Sequence, residues 1–498
     1  MTARLSRRSI VAGLSAAPVL GCATTSGAPQ PARPNVLLIS VDDLRPVGKT
    51  FDQPYVLAPN IDRLAAGGCA FTRAYAQYAV CNPSRASLLT GLRPDTTRIY
   101  DLNTHFRAHL PNVVTLPQYF RLHGYATMGL GKVYHLPFDD PQSWSLPSWS
   151  PEREIEYRDP QLRARLEKAN PDGTGDIVTE HDHATGTILR TESRSRIRGP
   201  AWEIAEIDDL ELQDGRIATR AIDTLRLFKD RPFFLGVGFK KPHLPFVAPR
   251  RYFDLYPPDM VPLAANAFAP LGLPDFERHK AELPGYEGVP KDLDLSPSQR
   301  KDLVRGYAAA TTFADAQIGR VLAALDELRL TDNTIVVLFG DHGYFLGENG
   351  FWAKHNNMEV ATRAPLIMRV PGLSSGVKVT TPVELVDIFP TLVDLAGLPL
   401  PPDLEGMSLA PALQSGKSTK RAAFSQYRRG GANGYSIRTV SHRYTEWRDR
   451  DSGELKARVL FDHLADPQEN SNLADKPEMA DVIAVLSRQL NQGWRAAS

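Results

Sequence analysis

The run Asn35-Val36-Leu37-Leu38-Ile39-Ser40-Val41 is almost continuously apolar, has the length of a strand and ends in Asp42-Asp43. A strand buried on both faces reads this way, because neither side alternates with polar residues. Similar runs recur at Tyr125–Leu130, Pro232–Phe239 and Thr334–Phe339. Between them lie helical patterns. One opens at Asn60, runs through Ala66 and is closed by Gly67-Gly68. A second takes Pro83 into its first turn and runs through Leu89 to Gly91. Longer helices are predicted over Asp208–Phe228 and Gln299–Leu328. Strands alternating with helices predict an α/β protein, with a large mixed, mostly parallel sheet covered by helices.

After Leu413 the pattern changes. Gln414–Lys420 reads as a polar linker, Gly434–Val440 and Arg443–Trp447 as two antiparallel strands, and Met479–Trp494 as a final helix. The expected organisation is therefore an export signal and tether over 1–34, a main domain over 35–413 and a smaller C-terminal α+β domain over 414–498. Residues 151–200, rich in Arg, Asp and Gly, read as a surface insertion.

The N-terminus carries an address. Ser6-Arg7-Arg8-Ser9-Ile10-Val11 has the twin-arginine pattern, and the apolar stretch that follows to Leu20 is too short to span a bilayer. Val19-Leu20-Gly21-Cys22 resembles a bacterial lipobox, in which a lipid on Cys22 would attach the chain to a membrane. These features predict export to the periplasm or cell envelope.

Composition narrows the partners. The 498 residues are 42% hydrophobic and 23% charged, which excludes a disordered or collagen-like chain. The formal net charge is +1, and removing the first 21 residues takes away Arg4, Arg7 and Arg8 and no acid. No basic excess remains to mark a nucleic-acid binder. Three cysteines, Cys22, Cys69 and Cys81, form neither a disulfide framework nor a CxxC zinc site.

The polar residues that break the apolar runs gather just after predicted strands: Asp42-Asp43, Lys132, His243 and Asp341-His342. Open α/β sheets place their sites at that edge. Three carboxylates suit a hard divalent cation, calcium foremost. Cys81 stands at the start of the helix containing Pro83, where free N–H groups and the positive dipole end favour an anion. Arg85, one turn later, can hold an oxyanion or a modified Cys81 side chain. His135, in Gly131-Lys132-Val133-Tyr134-His135, and Lys354, in Phe351-Trp352-Ala353-Lys354, add further cationic or proton-carrying groups. Such groups suit a reaction in which negative charge spreads over transferring oxygens.

Val80-Cys81-Asn82-Pro83-Ser84-Arg85 resembles the C-x-P-S-R signature of the sulfatases, and the likeness extends through Ala86-Ser87-Leu88-Leu89-Thr90-Gly91. Together with Arg93–Arg98 and the spacing of Lys132 and His135, the chain resembles the arylsulfatase type within the alkaline-phosphatase superfamily, and there the iduronate-2-sulfatase group. The likeness fails across 151–200 and Val261–Lys291. The resemblance implies an alkaline-phosphatase-like fold and hydrolysis of sulfate esters of sugars. It implies that a formylglycine-generating enzyme oxidises Cys81 to Cα-formylglycine. One Ca2+ per chain would be held by Asp42, Asp43, modified Cys81, Asp341 and His342, although many sulfatases carry asparagine at the position of His342. Arg85, Lys132 and His135 would hold the hydrated aldehyde, and His243 and Lys354 the sulfate oxygens. A phosphonate or phosphodiester hydrolase of the same superfamily and a non-catalytic lipoprotein that binds sulfated glycans are the alternatives.

Overall fold

Alternate side chains of strand β1 (Asn35–Val41) enter two different hydrophobic cores. Leu37, Ile39 and Val41 pack into one, Val36 and Leu38 into the other. That double burial is the physical reason for the unbroken apolar run. The computed structural model describes residues 33–497 except 153, 174, 279–281 and 374. The twin-arginine pattern at Arg7 and Arg8 and the lipobox at Cys22 lie outside the described residues.

Eight strands build the main sheet: β1, β2 (Cys69–Tyr75), β3 (Ala126–Gly131), β4 (Phe233–Phe239), β5 (Thr334–Gly340), β6 (Arg363–Arg369), β7 (Val377–Val379) and β8 (Val383–Glu384). Their order is β7-β2-β6-β5-β1-β4-β3, with β8 continuing beside β2. The pairs of β1 with β4, β1 with β5 and β3 with β4 are parallel. β6 alone runs against its neighbours β5 and β2. The sheet is therefore mixed and mostly parallel, as expected. Helices α1 (Pro59–Ala66), α2 (Cys81–Thr90), α3 (Gln213–Phe228) and α4 (Pro297–Glu327) cover it. The Ser296 side chain and Gln299 cap α4 reciprocally, which fixes its start.

Helix α2 begins at Cys81 with Pro83 in its first turn, as expected, and the extended Val80 is its N-cap. One expectation is corrected. The C-terminal part holds four antiparallel strands where two were expected: β9 (Ala423–Arg429), β10 (Ala432–Arg438), β11 (His442–Asp449) and β12 (Leu455–Asp462), with α5 (Ala480–Gln492) against them. Within the expected surface insertion of 151–200, which is largely exposed, the described residues form a helix over Pro160–Ala169 and a hairpin of Ile177–Asp182 and Thr187–Glu192. The hairpin pairs with the loop after α2 through His105 N to Leu189 O and Thr191 N to Asn103 O, both 2.9 Å.

Lys420, read as part of a polar linker, is buried. Its ammonium lies 2.5 Å from Glu384, which also takes both terminal nitrogens of Arg93 at 2.7 and 2.8 Å and the Phe424 N–H at 2.9 Å. This carboxylate joins the main sheet to the C-terminal sheet. Removing its charge strands the buried Arg93 guanidinium and leaves Lys420 to Asp387 alone, at 2.7 Å, so Glu384→Gln is expected to cost about 3 kcal/mol, read as a lower urea midpoint. Burial opposes ionisation of Glu384, but Arg93 and Lys420 outweigh it and lower its pKa to about 2. Because the folded value lies below the ordinary 4.5, the stabilisation is present above 4.5 and lost as the pH falls towards 2.

Candidate active site

Strands β1, β3, β4 and β5 run in one direction, so the residues that follow them emerge on one edge. Val41 pairs with both Phe239 and Gly340, which sets Asp42-Asp43 beside Asp341-His342. Lys132 follows β3 and His243 follows β4. The residues between β2 and α2 bring Cys81 to the same edge, and Lys354 arrives from the segment before β6. All the sequence-predicted site residues thus converge.

Glycine permits the closest approach. A Cβ at Gly238 would lie 2.1 Å from the Lys132 carbonyl carbon, so only glycine lets the Lys132 backbone lie against β4. At the far end of α2, Gly91 closes the helix with φ 69°.

Arg85 is fully surrounded. Its Nε donates to Asp341 Oδ2 at 3.0 Å, Nη2 to Asp42 Oδ1 at 3.1 Å, and Nη1 to Ser40 Oγ at 3.2 Å and the Val133 carbonyl at 3.0 Å. The guanidinium therefore holds the carboxylates in place from beneath. Lys132 Nζ takes Asp42 Oδ2 at 2.5 Å. Burial opposes ionisation of Asp42, yet Lys132, His243, Arg85 and Lys354 hold it well below the usual carboxylate range.

Asp43 is less satisfied. Its Oδ1 meets Lys354 Nζ at 2.5 Å, while Oδ2 is buried with no hydrogen-bond partner. Burial pushes its pKa up to about 8 against the pull of Lys354. Asp341 Oδ1 accepts the Asp43 N–H at 3.0 Å. His342 Nδ1 lies 2.9 Å from the Gly343 carbonyl and so carries the proton. Its Nε2 lone pair faces Cys81 Sγ at 3.4 Å and Asp43 Oδ1 at 3.4 Å. Burial keeps the ring neutral by lowering its pKa. An orphaned carboxylate oxygen, three acids and a neutral imidazole with its lone pair turned inward fit a divalent cation. Asp42, Asp43, Cys81 and His243, and likewise Cys81, Asp341 and His342, bring their ligand atoms within 4.8 Å of one another.

Cys81 is a free, buried thiol at the first turn of α2, 3.5 Å from Lys354 Nζ. Burial, with Asp42 beside it, pushes its pKa well above the ordinary value. His243 Nδ1 donates to the Leu244 carbonyl at 2.6 Å, which turns Nε2 towards Asp43 Oδ2 at 4.0 Å. His135 Nδ1 is buried and has no partner.

Ser84, of the signature itself, donates its hydroxyl to the Asp341 carbonyl. Three contributors carry no signal in the sequence pattern. Ser40 hides within the apolar run of β1. Tyr307, deep in α4, donates to the Asp43 carbonyl at 2.9 Å. Glu282, from the divergent 261–291 segment, lies 3.7 Å from Lys354. Arg93 of the Arg93–Arg98 run belongs instead to the Glu384 network. A cavity of about 350 Å³ lies along that seam, lined by Arg93, Glu405, Phe424, Tyr435 and Trp494 among others, and includes none of the clustered residues.

The profile of the sulfatase family matches residues 34–398. This chain belongs to the sulfatase family. A second profile, of the C-terminal part of N-sulphoglucosamine sulphohydrolase, matches residues 347–496. The sulfatase is 34% identical to the iduronate 2-sulfatase of Mus musculus, over 91% of this chain and 93% of that protein. It is 30% identical to a sulfatase of Formosa agariphila, over 94% and 88%. Among solved structures, the phosphonate monoester hydrolase of Agrobacterium radiobacter superposes with a TM-score of 0.71 at 25% identity, over 93% and 96%. The chain is thus a sulfuric ester hydrolase with an alkaline-phosphatase-like fold. The family generally works with formylglycine and a divalent metal.

Proposed function

We propose that this sulfatase removes a 2-O-sulfate from the terminal uronic acid of sulfated glycosaminoglycan or polysaccharide fragments, acting from the chain end. The reading rests on Cys81 at a helix N-terminus among Lys132, His243 and Lys354, in a chain 34% identical to iduronate 2-sulfatase over nearly its whole length. The Lys132-to-His135 spacing of that group supports it.

In this reading Cys81 becomes formylglycine and takes up water to form a geminal diol. Asp42, Asp43, Asp341, His342 and modified Cys81 would hold calcium, which supplies Lewis-acid polarisation and lowers the pKa of a hydroxyl nucleophile. One diol hydroxyl gives its proton to a neighbouring carboxylate as it attacks sulfur, the S–O bond to the sugar breaks, and the leaving oxygen takes a proton from His243. His243 must be protonated at Nε2 for that step, since Nδ1 is committed to Leu244. His135 then takes the proton of the second hydroxyl, sulfate is expelled and the aldehyde returns. Lys132 and Lys354 keep positive charge on the transferring oxygens. Arg198, with its guanidinium 5.0 Å over the Tyr286 ring and Nη1 on the Glu282 carbonyl at 3.5 Å, supplies the basic group for the sugar carboxylate.

A panel tests it: 2-O-sulfated iduronate at a non-reducing end, galactose and rhamnose sulfates, and a phosphonate monoester. The uronate is expected to exceed the neutral sugar sulfates by at least about tenfold in kcat/KM, since a site built for a charged partner rejects its absence. Faster neutral sugars would overturn the uronate assignment. A phosphonate monoester turned over faster than every sulfate would favour the hydrolase represented by the Agrobacterium structure.

A further inference from the structure

The side chains of His243 and Glu282 keep about a fifth of their surface exposed, 22% and 20%, against 2% for Lys354, and His135 is likewise only half-buried. They therefore form the wall between the buried sulfate site and solvent, where the leaving alcohol must lie. Glu282 comes from the segment in which the family resemblance fails, so the signature residues do not supply it.

Its carboxylate is unusual in that wall. Oε1 is buried and has no hydrogen-bond partner. Lys354, at 3.7 Å, is beyond hydrogen-bond reach and already holds Asp43 at 2.5 Å. A buried acceptor left without a donor is costly, so a donor is expected when the pocket fills. A sulfate group has no donor to offer; its oxygens only accept. The donor must belong to the leaving group, within one or two bonds of the ester oxygen.

We infer that Glu282 is a specificity-determining residue that accepts a hydrogen bond from a hydroxyl on the carbon next to the sulfated one. The site then selects sulfate esters of vicinal diols, of which a pyranose 2-O-sulfate is one, and disfavours esters with a carboxylate at that position. The uronate carboxylate, across the ring at C5, does not meet Glu282. The inference shares its site with the uronate reading but is tested apart from it.

The probes are 2-hydroxy-5-nitrophenyl sulfate and 3-nitrophenyl sulfate, which differ only in the hydroxyl beside the ester. The readout is the ratio of their kcat/KM values in wild type, Glu282→Ala and Glu282→Gln, all at one mildly acidic pH at which the nitrophenolic hydroxyl keeps its proton and can donate. Wild type is expected to favour the hydroxylated ester, and Glu282→Ala to lower the ratio roughly 10- to 100-fold, as loss of a charged hydrogen bond does. Glu282→Gln keeps an acceptor of the same size and is expected to fall between the two. A wild-type ratio near one, or both esters falling in parallel in both variants, would overturn the inference; the parallel fall would make Glu282 a support for Lys354. Neither aryl ester carries a uronate. Failure of the uronate in the panel thus leaves this ratio test standing, and an unchanged ratio leaves the uronate reading standing.

Discussion

Cys81→Ala is expected to abolish sulfate-ester hydrolysis, by on the order of 10⁴-fold or more, while the chain folds as before. The side chain fills the first turn of α2 and makes only long contacts, to His342 at 3.4 Å, Lys354 at 3.5 Å and Asp43 at 3.8 Å. Its truncation leaves the Arg85 ion pairs and the helix intact, so thermal melting should move little. The reaction, by contrast, loses its nucleophile. Protein made together with a formylglycine-generating enzyme should show the aldehyde in the peptide containing Cys81 by mass spectrometry. Cys81→Ser is the sharper control, because it restores a hydroxyl that cannot form the diol and so cannot expel sulfate by returning to an aldehyde. An active enzyme carrying only the unmodified thiol would defeat the formylglycine assignment.

Much of this arrangement is legible in the sequence because burial on both faces of a parallel sheet leaves unbroken apolar runs. β1, β4 and β5 stand out for that reason, and the polar residues that end them mark the edge where the site lies. β2 and β6 are harder to read. Cys69-Ala-Phe-Thr-Arg-Ala-Tyr carries polar residues in mid-strand, and Arg363–Arg369 begins and ends in arginine. The four-stranded C-terminal sheet is covered on both faces but buries polar residues such as Ser436, Arg443, Thr445 and Glu446, so its segments read as weak alternations. The site residues with a local motif or a strand end, such as Cys81, Asp42, Asp341 and His243, are legible. Tyr307 and Glu282 are not, since one lies among the apolar residues of a long helix and the other in a loop whose return to Lys354 depends on tertiary packing. Arg93 shows the converse: a residue in a recognisable motif that the fold spends on the Glu384 ion pair, far from sulfur chemistry.

Asp341→Asn is expected to lose the bound divalent cation and activity together, with turnover down at least about 10³-fold and the fold retained. Asp341 faces both ways: Oδ2 takes the Arg85 Nε and Oδ1 accepts the Asp43 N–H while lying 3.7 Å from His342 Nε2. The amide oxygen can still accept from the Asp43 N–H, which keeps the loop in shape, while its NH2 then faces the Nε of Arg85, whose guanidinium keeps Asp42 as its other carboxylate partner. What is lost is one of three charges. Asp42, Asp43 and Asp341, when all three are ionised, match the charges of Arg85, Lys132 and Lys354. A divalent ion must then be held by orientation and by the anionic ester that follows it, with Glu282 adding one negative charge at the rim. Removing a carboxylate takes away one negative charge and one oxygen ligand together, which weakens the hold on the ion. Asp341→Ala goes further, because it also removes a buried partner of Arg85, and is expected to cost about 3–5 kcal/mol of stability. Metal content after dialysis, activity and melting temperature, measured on the same preparations, separate these effects. Chelation of the wild-type protein should abolish activity, and calcium should restore it. Full turnover after exhaustive chelation, or an Asp341→Asn variant that keeps both its ion and its rate, would show that the carboxylates serve the ion pairs with Arg85 and Lys132 alone.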